Sequence, residues 1–103
     1  MSTRQEPIHV TLLVQQGCHF CHDAEDILRR LESEYPIVVA KLDLATEEGE
    51  RMALRHGLLF PPGIVIEDQA VSSGRPSEGR IRKFLDAWVG PEASFKVAAT
   101  GPA

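Results

Sequence analysis

The first half of the chain places a helical pattern between two strand-like segments, and this order restricts the fold more than any other feature. The segments IHVTLLVQ at 8–15 and IVVAKLDL at 37–44 are rich in β-branched and apolar residues, which is typical of buried strands. Between them, apolar residues recur at helical spacing until Pro36, namely Phe20, Ala24, Ile27, Leu28, Leu31 and Tyr35. Because parallel strands need a long crossover connection, this order predicts an α/β protein with a right-handed crossover.

The second half of the chain predicts a shorter helix and then a hairpin. Thr46 can cap a helix that runs to about His56, with Gly57 at its C-terminal boundary. Gly49 should weaken the middle of this helix, because glycine is a poor helix former. The short segments GIVIED and AVSS then suit two antiparallel strands joined by Asp68-Gln69.

A closing helix completes the predicted order β-α-β-α-β-β-α. Ser77 can cap this helix, and Gly90-Pro91 ends it. Residues 92–103 are rich in Ala, Gly and Pro and show no pattern, so we expect a single domain over 1–91 and a flexible tail. The apolar residues of the helix form one stripe that must cover a sheet, namely Ile81, Phe84, Leu85, Trp88 and Val89.

Composition and charge restrict the class of protein. The 103 residues are 43% apolar and 25% charged, close to the average for globular domains, which argues against disorder and against a membrane span. The formal charge of −4 is the wrong sign for gripping phosphate backbones, so we do not expect a nucleic-acid partner. The first residues lack the pattern of a secretory signal, and we therefore expect a cytoplasmic protein.

Two cysteines follow the first predicted strand in the segment Cys18-His19-Phe20-Cys21-His22. If the helix starts after Gly17, Cys18 lies exposed in its first turn, and Cys21 lies one turn further in on the apolar stripe. The helix dipole favours a thiolate at Cys18 by only about 0.3 to 1 kcal/mol, so further donors or a cation are needed for a large effect. His22 lies one predicted helical turn from Cys18 and could supply that cation.

Other interpretations of these residues remain open at the level of sequence. Asp23 and Asp26 oppose the effect of His22 on the pKa of Cys18, and His19 and His22 are equally compatible with solvated side chains. The segment matches the C-x-x-C-H pattern of haem attachment, with His22 as the axial ligand. A zinc site would need four ligands, and the chain has two cysteines and scattered histidines. Two inert, half-buried cysteines are a further alternative, but a C-x-x-C between strand and helix in a cytosolic chain favours redox chemistry.

The chain resembles the thioredoxin and glutaredoxin superfamily over residues 8–89. The resemblance lies in C-H-F-C after the first strand, K-L-D-L in the second, a proline ahead of the hairpin and S-E-G-R-I-R-K-F-L-D-A-W in the closing helix. It implies a thioredoxin-like fold, in which helices flank a four-stranded mixed sheet and a cis-proline, here Pro62, packs beside the cysteines. The leading strand and helix of thioredoxins are missing, so the outline is closer to that of a glutaredoxin.

The sequence departs from both branches of this superfamily near the cysteines. Thioredoxins carry a buried acid six residues before the first cysteine, where this chain has Leu12, and a tryptophan where it has Gly17. Glutaredoxins use the residue before the cis-proline to bind glutathione through its backbone, but Pro61 has no N–H. Their basic residue ahead of the motif is replaced by Gln15-Gln16, and residues 73–77 match their glycine-rich, carboxylate-binding turn only loosely.

The resemblance and the motif together predict a thiol-disulfide oxidoreductase in which Cys18 attacks and Cys21 resolves. We expect that the protein requires no cofactor and no metal, and that glutathione or a reductase supplies its electrons. Its expected substrates are protein disulfides or small disulfides, and we expect it to be a monomer. His22 is a candidate for tuning the pKa of Cys18. The substrate-docking residues are predicted to be His19, Phe20, Pro61 and Pro62.

Two alternatives belong to other functional classes. A glutaredoxin-like module could hold glutathione or an iron-sulfur cluster through Cys18, and a degenerate domain could serve only to bind a partner. Neither alternative requires Cys21 to resolve a mixed disulfide.

Overall fold

Strand pairing in the computed structural model, which describes residues 7–58 and 60–89, produces one mixed sheet. Within these residues the strand order is β2-β1-β3-β4, with β1 parallel to β2 and antiparallel to β3, and β3 antiparallel to β4. The predicted four-stranded mixed sheet is therefore confirmed. The strands are β1 (Ile8–Val14), β2 (Ile37–Asp43), β3 (Gly63–Ile66) and β4 (Gln69–Ser73).

The described ranges also contain three helices, and the elements follow the predicted order β-α-β-α-β-β-α. The helices are α1 (Cys21–Glu32), α2 (Glu47–His56) and α3 (Glu78–Val89). Among the described residues, no helix is long and apolar enough to cross a membrane. Apolar side chains of α1 and α3 pack on one face of the sheet, because each helix has an apolar stripe that must leave water. The buried residues of this core are Ile8, Val10, Leu12, Ala24, Ile27, Leu28, Leu31, Ile37, Ile64, Ile66, Ile81 and Leu85.

The predicted helix caps are present. The Gly49 N–H donates to Thr46 Oγ1 (3.0 Å), and the Arg80 N–H donates to Ser77 Oγ (3.2 Å). Gly57 ends α2 in the left-handed region, with φ 64°, which favours glycine because it has no Cβ. Helices α2 and α3 therefore begin where the local capping signals indicated.

The predictions for the hairpin turn and for Trp88 were wrong. The hairpin turns at Glu67 and Asp68, which both have positive φ, because Ile66 pairs with Gln69 and extends β4 by one residue. Trp88 does not join the core: it is 44% exposed and stacks on Phe84 with ring centroids 6.1 Å apart. The expected tail at 92–103 and the Gly90-Pro91 boundary lie outside the described residues.

Gly49 lets α2 pack closely on the end of β2. It is buried in the first turn of α2, and a Cβ at this position would overlap the backbone carbonyl of Asp43. The sequence suggested that Gly49 only weakens the helix, but its missing side chain is what permits this contact. Gly79 in α3, by contrast, has open space where a Cβ would stand.

We expect Gly49→Ala and Gly79→Ala to change stability in opposite directions. Alanine is favoured over glycine in a helix by about 0.5–1 kcal/mol. Gly79→Ala should therefore raise the free energy of unfolding by up to about this amount, and with it the urea midpoint. Gly49→Ala should lower it, because α2 must shift away from Asp43. Equal stabilisation of both variants would contradict the close contact.

An ion-pair cluster joins the end of α1 to α3. Arg82 donates to both carboxylate oxygens of Glu34, at 2.6 and 2.7 Å, and to Glu78 at 3.2 Å. Arg30 donates to the other oxygen of Glu78 at 2.7 Å. Hydrogen bonds from Arg82 hold the pKa of Glu34 below its usual value, and hydrogen bonds from Arg30 do the same for Glu78.

These lowered pKa values predict a loss of stability in acid. A carboxylate with a lower pKa in the folded chain stabilises the fold above its unfolded pKa, and the effect disappears as the pH falls through the folded pKa. The variant Glu34→Gln/Glu78→Gln should therefore show a weaker decline of the urea midpoint between about pH 5 and 3. Glu50→Gln, at an exposed site on α2, is the control, and an unchanged decline in the double variant would contradict the assignment.

Candidate active site

The chain between β1 and α1 places Cys18 just before a helix rather than inside it. Gly17 turns the backbone with φ 78°, and the Cys18 N–H donates to the Gln15 carbonyl at 3.1 Å. Helix α1 begins only at Cys21, with Phe20 as its N-cap residue. The expectation that Cys18 lies in the first helical turn was therefore wrong, because the turn at Gly17 ends at Cys18 and residues 18–20 precede the helix.

Cys18 and Cys21 are joined by a disulfide bond, with their Cα atoms 5.5 Å apart. Cys18 is half-buried, whereas Cys21 is 8% exposed and lies on the apolar stripe of α1. Of the two sulfurs, the one at Cys18 is therefore nearer to solvent. This difference in burial is the one expected from the helical spacing.

The start of α1 carries unpaired backbone donors next to Cys18. Phe20 has no side-chain oxygen, and no side chain caps the helix there. The first intrahelical bond is donated by the Ala24 N–H to the Phe20 carbonyl, which leaves the amides of Cys21, His22 and Asp23 without intrahelical acceptors. These amides and the helix dipole favour negative charge on the sulfur of Cys18 once the disulfide is reduced.

The predicted pairing of His22 with Cys18 does not follow from the observed geometry. That prediction needed both residues on one helical face, but residues 18–20 are not helical. His19 and His22 are both exposed, and the ring of His19 packs edge-on against Phe20 with centroids 5.0 Å apart.

The two prolines ahead of β3 form a bend tied to the end of β4. The peptide bond between Pro61 and Pro62 is cis, at the position for which the resemblance implied it; Pro62 is buried and Pro61 half-buried. The Gly74 N–H donates to the carbonyls of Phe60 and Pro62, at 3.1 and 3.0 Å. The side chain of Phe60, which the sequence analysis did not single out, is 67% exposed.

Arg75 connects this bend to the start of α1. Its guanidinium carbon lies 5.8 Å from the centre of the Phe20 ring, within the range of a cation–π contact. Because Arg75 follows Gly74 directly, the loop after β4 lies between the proline bend and Phe20. Phe20, which lies two residues after Cys18, is thereby brought to the same side of the molecule as Arg75 and the bend.

A charged pair that sequence reasoning missed lies beside α1. Leu12 is buried and pairs in register with Lys41 of β2, and Lys41 Nζ donates to Glu25 Oε2 at 2.7 Å. This hydrogen bond is the main cause that lowers the pKa of Glu25. The sequence alone places Glu25 one helical turn after Cys21. It does not reveal that Lys41 of β2 is the partner of Glu25.

Among residues 7–58 and 60–89, no three His, Cys, Asp or Glu side chains lie close enough to hold a metal ion. The scattered histidines considered for a zinc site are thus not brought together with the cysteines in this part of the chain. The chemistry that the geometry offers is that of two adjacent sulfurs.

Comparison with known proteins shows that a curated protein is similar to this chain in sequence. No protein-family model matches the chain. A curated relative named "Probable Thioredoxin" from Archaeoglobus fulgidus is 28% identical over 85 residues, which cover 82% of this chain and 93% of the relative.

Solved structures share the fold. A mutant thioredoxin from Halobacterium salinarum superposes with a TM-score of 0.64 at 19% identity. The match covers 84% of this chain and 79% of the thioredoxin chain. A malarial protein superposes with a TM-score of 0.60 at 16% identity, and the match covers 79% of this chain and 96% of the malarial protein. The solved structures show a thioredoxin-like fold, and the similarity to the relative from Archaeoglobus fulgidus supports the resemblance to the thioredoxin-like superfamily.

Proposed function

We propose that the protein is a thiol-disulfide oxidoreductase in which Cys18 attacks a substrate disulfide and Cys21 resolves the intermediate. The observation that carries this proposal is the bonded pair itself: Cys18 lies before α1 and near solvent, and Cys21 is buried at the first position of the helix. The coarser assignment to thiol-disulfide chemistry also agrees with the archaeal relative that is named a thioredoxin.

The reaction follows from the placement of the two sulfurs. In the reduced protein the Cys18 thiolate attacks one sulfur of a substrate disulfide, which breaks that bond and releases a substrate thiolate. Cys21 then attacks the sulfur of Cys18, releases the second substrate thiolate and restores the Cys18–Cys21 bond. The substrate gains two electrons and the protein loses two, so the exchange needs no bound cofactor.

The expected surroundings of this reaction are part of the proposal. Substrates are protein or small disulfides, a reductase or glutathione returns the protein to the dithiol form, and the protein acts as a monomer in the cytoplasm. Pro61 and Pro62 shape the docking surface on one side of Cys18, and His19 and Phe20 shape it on the other. His22, the second residue of α1, is exposed, and its tuning of the Cys18 thiol stays a prediction.

Serine variants of the two cysteines test the assigned roles. Cys21→Ser should form a stable mixed disulfide with a substrate through Cys18, because no second thiol is available to resolve it. Cys18→Ser should lose reductase activity by at least about a hundredfold, since the remaining thiol is buried. Mass spectrometry of the trapped species and turnover with insulin as the substrate provide the measurements.

The opposite pattern would overturn the proposal. If Cys18→Ser retained the reductase activity of the parent protein, Cys18 would not be the attacking group and the proposed mechanism would be wrong. If the parent protein itself showed no reductase activity, the oxidoreductase proposal would fail and a role in partner binding would replace it. Alkylation of the reduced parent protein gives an independent check, because Cys18 should react faster at pH 7 than a free thiol, of which only about 3% is ionised there.

Replacement of Pro61 tests the docking surface. Pro61 cannot donate a backbone hydrogen bond to an extended substrate. Pro61→Val restores an N–H, and one added hydrogen bond of about 0.5–1.5 kcal/mol corresponds to a KM for a glutathione mixed disulfide that is lower by about two- to tenfold. Pro36→Ala, at an exposed proline before β2, should leave KM unchanged, and an unchanged KM for Pro61→Val would exclude Pro61 from the docking surface.

A further inference from the structure

The resolving step requires a proton acceptor for Cys21. A thiol attacks a disulfide only as its thiolate, and burial in apolar surroundings raises the pKa of a thiol. Cys21 is 8% exposed and packs on the stripe that continues with Ala24 and Leu28. A group that removes its proton during the attack would therefore accelerate the second half of the exchange.

Glu25 is the carboxylate of α1 that lies on the same side as Cys21. A helix turns about 100° per residue, so Glu25 stands about 40° round the helix from Cys21, while Asp23 and Asp26 stand about 160° and 140° away. Residues four apart have their Cβ atoms about 5–6 Å apart, and helical side chains lean towards the N-terminus, which directs Glu25 towards Cys21. Asp23 and Asp26 line a different cleft, together with Arg75.

The surroundings of Glu25 hold its carboxylate in place and admit water. Its side chain is 25% exposed and accepts a hydrogen bond of 2.7 Å from Lys41 Nζ. Glu25 borders a cleft of about 210 Å³, which is room for several water molecules. The other residues that line this cleft are Leu12, Arg29, Glu32, Val39 and Lys41.

In the described part of the chain, most of the titratable groups near Glu25 are basic side chains. Lys41 faces it from β2, and His22 and Arg29 act on it from its own helix; Glu32 borders the same cleft. From β1 the neighbour is the hydrocarbon of Leu12, which pairs in register with Lys41. The carboxylate therefore stays ionised at neutral pH and ready to accept a proton, and its lowered pKa means that it holds the proton only briefly.

We propose that Glu25, positioned by Lys41, accepts the proton of the Cys21 thiol as Cys21 attacks the mixed disulfide on Cys18. This inference rests on the proposed oxidoreductase function. The Cys21 S–H bond breaks and its proton passes to Glu25 directly or through one intervening water molecule. The Cys21–Cys18 bond forms, the bond from Cys18 to the substrate sulfur breaks with its electron pair on the substrate, and Glu25 returns the proton to solvent.

The two steps can be followed separately with the aromatic disulfide dithionitrobenzoate, whose thiolate product is coloured. Attack by Cys18 on this probe releases the first coloured thiolate, and attack by Cys21 on the resulting mixed disulfide releases the second. In Glu25→Gln the second phase should slow by about tenfold near pH 7. This is less than the roughly hundredfold or more that is typical of general base catalysis, because the carboxylate is a weak base. The first phase should stay within about twofold, and the second should recover at higher pH, where Cys21 ionises without help.

Matched variants separate proton transfer from charge and structure. Glu25→Asp keeps a carboxylate and should recover part of the lost rate, and Glu32→Gln removes a charge from the same cleft and should change neither phase. If Glu25 acted only through its negative charge, its removal would favour the Cys21 thiolate and accelerate the second phase. A second phase that is unchanged or faster in Glu25→Gln, with an intact circular dichroism spectrum, would overturn the inference and leave the proposed function standing. Absence of both phases in the parent protein would overturn the proposed function and this inference with it.

Discussion

The packing of α1 on the sheet is the constraint on which the rest of the structure depends. Leu28 and Leu31 are at most 1% exposed and share one core with Val10 and Leu12 of β1. Burial of such side chains contributes about 1.5–3 kcal/mol each, so neither the rotation nor the axial position of α1 can change cheaply. Because Cys21 is the first residue of this helix, the same packing fixes which cysteine is buried and on which side of the helix Glu25 lies.

The segment between β1 and α1 determines where Cys18 lies relative to Cys21 and to the first backbone amides of the helix. Gly17 turns the chain in the left-handed region, and Cys18 follows outside α1, next to backbone amides that have no intrahelical acceptors. A helix that began three residues earlier would use some of these amides in its own hydrogen bonds. The late start of α1 thus contributes to the electrostatics of the site as well as to the exposure of Cys18.

Features set by periodicity and local caps could be predicted from the sequence. The order of elements, the burial of Cys21 and the caps at Thr46 and Ser77 depend on residues close in the chain. Contacts between segments that are separated in the chain could not be predicted, because they depend on how the strands and helices pack together. Examples are the Lys41–Glu25 pair, the position of Arg75 over Phe20 and the close approach of Gly49 to Asp43. The start of α1 was misplaced because periodicity alone does not reveal that residues 18–20 precede the helix.

The size of the ring closed by the disulfide has a consequence for the working cycle of the protein. The two cysteines are three residues apart, and the chain-entropy model assigns so short a loop only about 2 kcal/mol of stabilisation. Stability of the domain therefore comes from its apolar interior and not from the covalent link. In the proposed exchange, opening and closing that link would leave this interior packed, so the same scaffold would serve both the oxidised and the reduced form.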